Sequence, residues 1–201
     1  MNKVLFNLKN NAILSALFCC YAMCCSFSTS LYANVEVTSY GKKVIVDLTH
    51  MYGDQANCRL VDDQGRVVYS SEISSLDKKV KNYDLSSLQK GDYTMIIEDE
   101  MSIEKIFLEL SNAEIVSIEK SKPIYKPTIV REPGDRIHLN LLSRNKEVEL
   151  SVTKKGEEFF SKTYVDEPSI NEIIDFSRAD KGDYVIQVSI LGEVFYRNVS
   201  I

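Results

Sequence analysis

The run Tyr83-Asp84-Leu85-Ser86-Ser87-Leu88-Gln89-Lys90-Gly91-Asp92-Tyr93 returns ninety-one residues later as Ile174-Asp175-Phe176-Ser177-Arg178-Ala179-Asp180-Lys181-Gly182-Asp183-Tyr184, with six of eleven positions identical. The same offset carries Gly65 to Gly156, and Leu108 and Leu110 to Val199 and Ile201. Similarity at one fixed offset over so long a stretch marks an internal duplication. The boundary between copies is expected near Ser111-Asn112-Ala113. Inside the repeated run, Gly91 and Gly182 allow a turn at positive φ, where a side chain would be strained. Leu85 with Leu88, and Phe176 with Ala179, are placed to plug one end of a core. Tyr93 and Tyr184 then each open an alternating strand.

Outward from that run, each copy reads as short strands broken by turn chemistry. In the first copy they are Val35-Val37, Val44-Leu48, Cys58-Val61, Arg66-Tyr69, Val80-Leu85, Tyr93-Glu98 and Ile103-Leu110. Asp62-Asp63-Gln64-Gly65 reads as a hairpin loop, and Thr153-Lys154-Lys155-Gly156 as its counterpart. The mature chain carries no sustained 3.6-residue apolar stripe. The expected fold is all-β: two tandem immunoglobulin/fibronectin-III-like antiparallel β-sandwiches after an N-terminal signal peptide, in residues 34–111 and 112–201. A tyrosine hydroxyl at the corner of such a sandwich bonds to backbone a few residues upstream, so Lys90, Gly91, Asp92 and Tyr93, with Lys181, Gly182, Asp183 and Tyr184, read as a structural corner motif. Three of the four prolines, Pro123, Pro127 and Pro133, lie within Lys122–Gly134. Proline cannot donate to a ladder, so that segment is expected to be an edge strand or extended loop bracing the junction.

Residues 1–33 read as a secretory signal peptide. Lys3 and Lys9 precede an apolar stretch from Ala12 to about Phe27, and Leu31-Tyr32-Ala33 ends on a small residue. A retained membrane anchor, or a lipoprotein anchor at Cys19, Cys20, Cys24 or Cys25, are the alternatives. Cleavage after Ala33 removes two lysines and no acid, taking the net charge from -5 to -7. It also leaves Cys58 as the sole thiol, so the fold must hold by packing without an internal disulfide. The acidic balance excludes the basic footprint of a nucleic-acid binder. The protein is expected to be secreted, periplasmic or at the cell surface, with no membrane insertion after cleavage.

The run Asp84-Leu85-Ser86-Ser87-Leu88-Gln89-Lys90-Gly91-Asp92-Tyr93, followed by an alternating strand, a short hairpin and a last apolar strand, resembles the C-terminal sorting domain of the Bacteroidetes type IX (Por) secretion system. Asp175 to Tyr184 follows it more loosely, and the hairpin from Arg59 to Tyr69 is similar too. The chain also resembles small secreted Bacteroidetes β-sandwich proteins of unknown function. The resemblance implies a β-sandwich fold and an envelope setting.

A search for chemistry finds little. There is no Gly-x-Ser-x-Gly, no phosphate-cradling glycine loop and no Cys-x-x-Cys. His50 and His138 are isolated, so both read as surface or loop residues. Glu98-Asp99-Glu100 and Asp62-Asp63 read as solvated hairpin tips, with a weak calcium site as the other reading. Phe159, Phe160, Tyr164, Phe195 and Tyr196 form an aromatic cluster from which strand alternation sends one of each adjacent pair away from the core. Packing of one domain against the other is the first reading of it, and an interaction surface for a sugar or protein the second. No catalytic residue, metal site or cofactor is expected. The reading is a non-enzymatic module with a structural or protein-interaction role, its partner an envelope or extracellular protein or glycan. A glycan-binding accessory protein, a sorting-like domain pair and a hydrolase with an unrecognised site are the rivals. Mass spectrometry of the exported protein should find Asn34 as its first residue; an intact N-terminal segment, or a lipidated cysteine, would replace the signal peptide with an anchor.

Overall fold

The computed structural model describes residues 35–49, 51–74 and 80–201. The leader expected in residues 1–33, with its four cysteines, and His50 lie outside the described residues. All regular structure described is β-strand. The first copy contributes β1 (Glu36–Tyr40), β2 (Lys43–Asp47), β3 (Gln55–Asp62), β4 (Val67–Ser74), β5 (Val80–Asp84), β6 (Gly91–Glu98) and β7 (Ser102–Leu110). Two connecting strands follow, β8 (Ile115–Lys120) and β9 (Ile124–Tyr125). The second copy contributes β10 (Thr128–Glu132), β11 (Arg136–Leu141), β12 (Val148–Lys154), β13 (Glu157–Tyr164), β14 (Ile170–Asp175), β15 (Asp183–Ile190) and β16 (Glu193–Ser200).

The two copies build the same object. In the first, a sheet β1-β2-β5 faces β4-β3-β6-β7; in the second, β10-β11-β14 faces β13-β12-β15-β16. Every pairing is antiparallel. Three strands over four is the fibronectin type III form of the immunoglobulin-like sandwich. Period-2 alternation produces each core. Val44 and Val46 from one sheet meet Cys58, Leu60, Met95, Ile97, Ile106 and Leu108 from the other. In the second copy Ile137 and Leu139 meet Leu150, Val152, Ile186 and Val188. Truncating one of these leucines or isoleucines, or Met95, to alanine costs about 2–5 kcal/mol, a large share of the stability of a small domain. Cys58 is one of these core residues, and burial pushes its thiol pKa up, so it packs as a small inert hydrophobe.

The connection between the copies is itself a strand pairing. β8 runs antiparallel along β7, from Ile115 opposite Leu110 to Lys120 opposite Ile106. The ladder continues through Ser121 N to Lys105 O at 2.8 Å, then Ile124 opposite Ile103, then Lys126 N to Met101 O at 2.8 Å. The interruption falls at Lys122-Pro123, where proline has no amide hydrogen to give. Residues 112–125, which the repeat alone groups with the second copy, therefore lengthen the first copy's sheet. Asn34–Ile201 forms one compact unit.

Glu104 breaks the apolar pattern of β7. It shares the core face with Ile106, Leu108 and Leu110 and is only 2% exposed. Its carboxylate lies 3.3 Å from Lys120 Nζ on β8 and accepts from the Val35 amide at 3.5 Å, while Lys120 donates to the Val35 carbonyl. Two side chains thus satisfy both polar groups of the residue entering β1. Burial, the largest influence, raises the Glu104 pKa; Lys120 opposes it and Asp99 adds to it. The folded state therefore keeps this proton to higher pH than the unfolded chain, and its contribution to stability declines as pH rises from the ordinary glutamate value through the raised one. Glu104→Gln should gain stability relative to the parent across that interval and show no further relative gain below it. Urea unfolding midpoints between pH 4 and 8 measure this, and a difference independent of pH would contradict the assignment.

Candidate functional site

The repeated Lys-Gly-Asp-Tyr turns close equivalent corners by different means. Tyr184 donates its hydroxyl to the Asp180 carbonyl at 2.7 Å, and Tyr93 donates to Gln89 O at 3.2 Å, each four residues back. Gly91 and Gly182 lie at φ 151° and 143°, a region L-residues rarely adopt. In the first copy Lys42 reaches in from the β1–β2 turn to donate to Leu88 O at 2.8 Å. In the second, Asp135 occupies the matching turn and pairs with Lys181 at 2.9 Å, while Lys154 donates to the carbonyls of Asp180 and Lys181. The Arg131 and Lys181 contacts hold the Asp135 carboxyl below its usual range. Lys90 and Asp92 are exposed, and Asp183 accepts from the Ser200 hydroxyl.

The five aromatics of the expected surface do not gather in one place. Tyr164 is buried, with its hydroxyl donating to Glu172 at 2.6 Å. Burial and that carboxylate raise its pKa. Phe160 and Phe195 pack against the core from opposite edges of the four-stranded sheet. Alternation fails at Phe159-Phe160 because the β12–β13 register shifts at Val152/Thr153, leaving Phe159 as the extra residue of a bulge. Phe159 then stacks on Phe176 at 5.4 Å and meets the Tyr184 ring edge-on at 5.2 Å, though 44% exposed. At Phe195-Tyr196 alternation holds, and Tyr196 stands 66% exposed on the outer face.

The acidic clusters are committed to turns. Asp99 accepts from the amides of Tyr52, Met101 and Ser102. Glu98 pairs with Arg59 and Lys126. Asp62 accepts from the Gln64 and Arg66 amides and from the Arg66 side chain, which lowers its pKa. Among the described residues no group of three or more His, Cys, Asp and Glu is placed to hold a metal ion. His138 lies on the outer face of β11, between Asn171 Oδ1 at 2.8 Å and Glu132 Oε1 at 3.3 Å.

A groove that no sequence pattern announces lies where the first copy's loops meet the second copy. It encloses about 450 Å³. Tyr52 and Met101 come from first-copy loops, Tyr125 from the connecting strand, and Leu142 from the end of β11. Its polar floor is one row across three strands, since Thr128 sits opposite Asn140 and Asn140 opposite Asn171. Tyr52, Met101 and Leu142 are each about 40% exposed. These residues are far apart in the chain, and only the paired path of β8 and β9 brings them together.

The fold is a tandem fibronectin-type sandwich of three strands over four in each copy. Residues 39–109, which run from β1 into β7, match the secretion system C-terminal sorting domain family. No curated protein matches the sequence. Among solved structures, the chain is similar to the chicken interferon gamma receptor alpha chain at 10% identity and a TM-score of 0.29, covering 84% of this chain and 97% of that one. A cytokine receptor complex gives 10% identity and a TM-score of 0.29, covering 83% and 96%. The BSP domain of a biofilm associated protein gives 14% and 0.26, covering 84% and 29%. No helix among the described residues is long and apolar enough to cross a membrane.

If the corners are structural, Tyr184→Phe should cost about 0.5–1.5 kcal/mol in urea unfolding, the net worth of one hydrogen bond. Tyr93→Phe should cost less, because its bond is longer and exposed. Two equal, negligible changes would detach the hydroxyls from stability.

Proposed function

We propose that the chain is a secreted or envelope-associated, non-enzymatic β-sandwich module with a protein-interaction role, and that the groove between its two copies is the contact surface. Its composition carries the proposal. Tyrosine and methionine are enriched at the cores of protein interfaces, and here Tyr52, Tyr125, Met101 and Leu142 surround the Thr128–Asn140–Asn171 row. The Asn140 amide carries both donor and acceptor groups, and Asn171, whose Oδ1 meets His138, keeps its amide donors, which suits a polypeptide backbone laid across the row. The absence of tryptophan favours a protein over a saccharide. The partner is a protein met outside the cytoplasm.

A second reading, supported by the family match over 39–109, is a sorting-like pair exported through the type IX system. In it the first copy carries the address and the second is the passenger or a further address. Unchanged export after deletion of the type IX machinery would reject this reading.

The test of the groove is capture of partners from envelope and culture supernatant by tagged residues 34–201, beside the Tyr52→Ala/Leu142→Asp variant with its fold verified by circular dichroism. Recovery of the specific partner should fall about tenfold or more in the variant, as expected for interface anchors. Equal recovery would remove the groove from the contact. Glycan-array binding lost in the variant, with no protein captured, would replace the protein partner with a saccharide.

A further inference from the structure

The two copies treat one edge of the same sheet differently. β7 and β16 are the last strands of equivalent four-stranded sheets, and β7 has an antiparallel strand along its outer edge, formed by β8 and β9. β16 ends its sheet, and among the described residues no strand pairs beyond it. Its pairing with β15 is regular over eight positions, with no bulge to twist the edge away. It also contains no proline. An open edge of that kind is a template for another strand.

The direction of each backbone group on β16 follows from its neighbours. Gly182 and Ile201 exchange amide-to-carbonyl bonds, so Ile201 faces β15. Alternation in an antiparallel ladder then turns Val199, Arg197, Phe195 and Glu193 toward β15 and leaves Val194, Tyr196, Asn198 and Ser200 facing outward. In agreement, the Ser200 carbonyl is met from outside by Arg131 Nη1 at 2.7 Å. Val194 and Tyr196 expose 43% and 66% of their surfaces.

The segment Glu193-Val194-Phe195-Tyr196-Arg197 reads as its own complement about Phe195. Set antiparallel to a second copy with Phe195 opposite Phe195, it places Glu193 against Arg197 twice and Val194 against Tyr196 twice. The Val194–Tyr196 pairs are those whose amides and carbonyls face outward, so this register makes the hydrogen bonds as well as the charge pairs. Sliding each strand to put Tyr196 opposite Tyr196 loses both charge pairs. Glu193 already pairs with Lys105 on β7 at 2.6 Å, so Arg197 of a second copy would join that ion pair. Arg131 covers only the Ser200 end, outside the five-residue match.

We propose that β16 is a homodimerisation edge: two copies pair β16 with β16 antiparallel about a two-fold axis at Phe195, joining their four-stranded sheets into one of eight strands. Such an interface is isologous and closes on itself, which caps both open edges at once. The inference is independent of the groove and of any partner in it.

The test is sedimentation equilibrium of residues 34–201 over a concentration series. The parent should approach dimer mass as concentration rises. Arg197→Glu and Glu193→Arg each set like charges opposite one another twice, and should weaken association about tenfold or more. An equimolar mixture of the two variants restores both opposite-charge pairs and should form a heterodimer, as should the doubly reversed chain with itself. Tyr196→Pro removes an outward amide without taking a bond from β15, and should be monomeric with its fold intact by circular dichroism. A parent that stays monomeric, a dimer indifferent to Arg197→Glu, or mixed variants that fail to associate would each overturn the proposal.

Discussion

The architecture depends on the pairing of the connecting strand with β7. A polypeptide leaving the last strand of a sandwich must satisfy its own amides and carbonyls, and the strand it leaves has an unpaired edge with the same need. Laying β8 and β9 back along β7 answers both requirements with one ladder. The pairing commits residues 115–125 to the first sheet and fixes where β10 can begin. It also places Tyr125 and Lys126 beside the first copy's loops, and so creates the wall of the groove. Among the described residues no strand pairs with the outer edge of β16, the counterpart of β7.

Glu104 belongs to the same constraint. A carboxylate on a core face is costly unless paired, and its cation is Lys120, carried by the connecting strand. With Val35 held between them, the pair ties the start of β1, the last strand of the first sandwich and the connection into one cluster. Its contacts join the strand that lies on β7 to the point where the chain enters β1. The corners work similarly, because Lys42 from the β1–β2 turn and Lys154 from β12 reach them and donate to their backbone carbonyls.

Much of the strand layout was legible because its causes are local. Alternation marked the strands, glycine at positive φ marked the turns, and the repeated corner run located the same bend twice. The aromatic surface was not legible. Phe159 and Phe160 were expected on opposite faces, and with a one-residue bulge at Val152/Thr153 Phe160 packs against the core while Phe159, still 44% exposed, stacks on Phe176. A bulge depends on how two strands meet, and neither strand's sequence records it. The groove escaped for a related reason: Tyr52, Met101, Tyr125, Asn140 and Asn171 share no spacing, and only the path of the connection gathers them. The proline-rich segment was readable as edge structure because a missing amide is a property of the residue itself.

The sequence by itself determined that this chain is all-β, that it is a duplicated pair of sandwiches, and where each corner turns. Those outcomes follow from side-chain alternation, backbone freedom at glycine and a repeated motif, all of which act within a few residues. Only the tertiary structure decided which edges are covered, which aromatics reach solvent and which loops share a groove. Those depend on hydrogen bonds and contacts between segments distant in the chain, whose pairing is set by the whole fold.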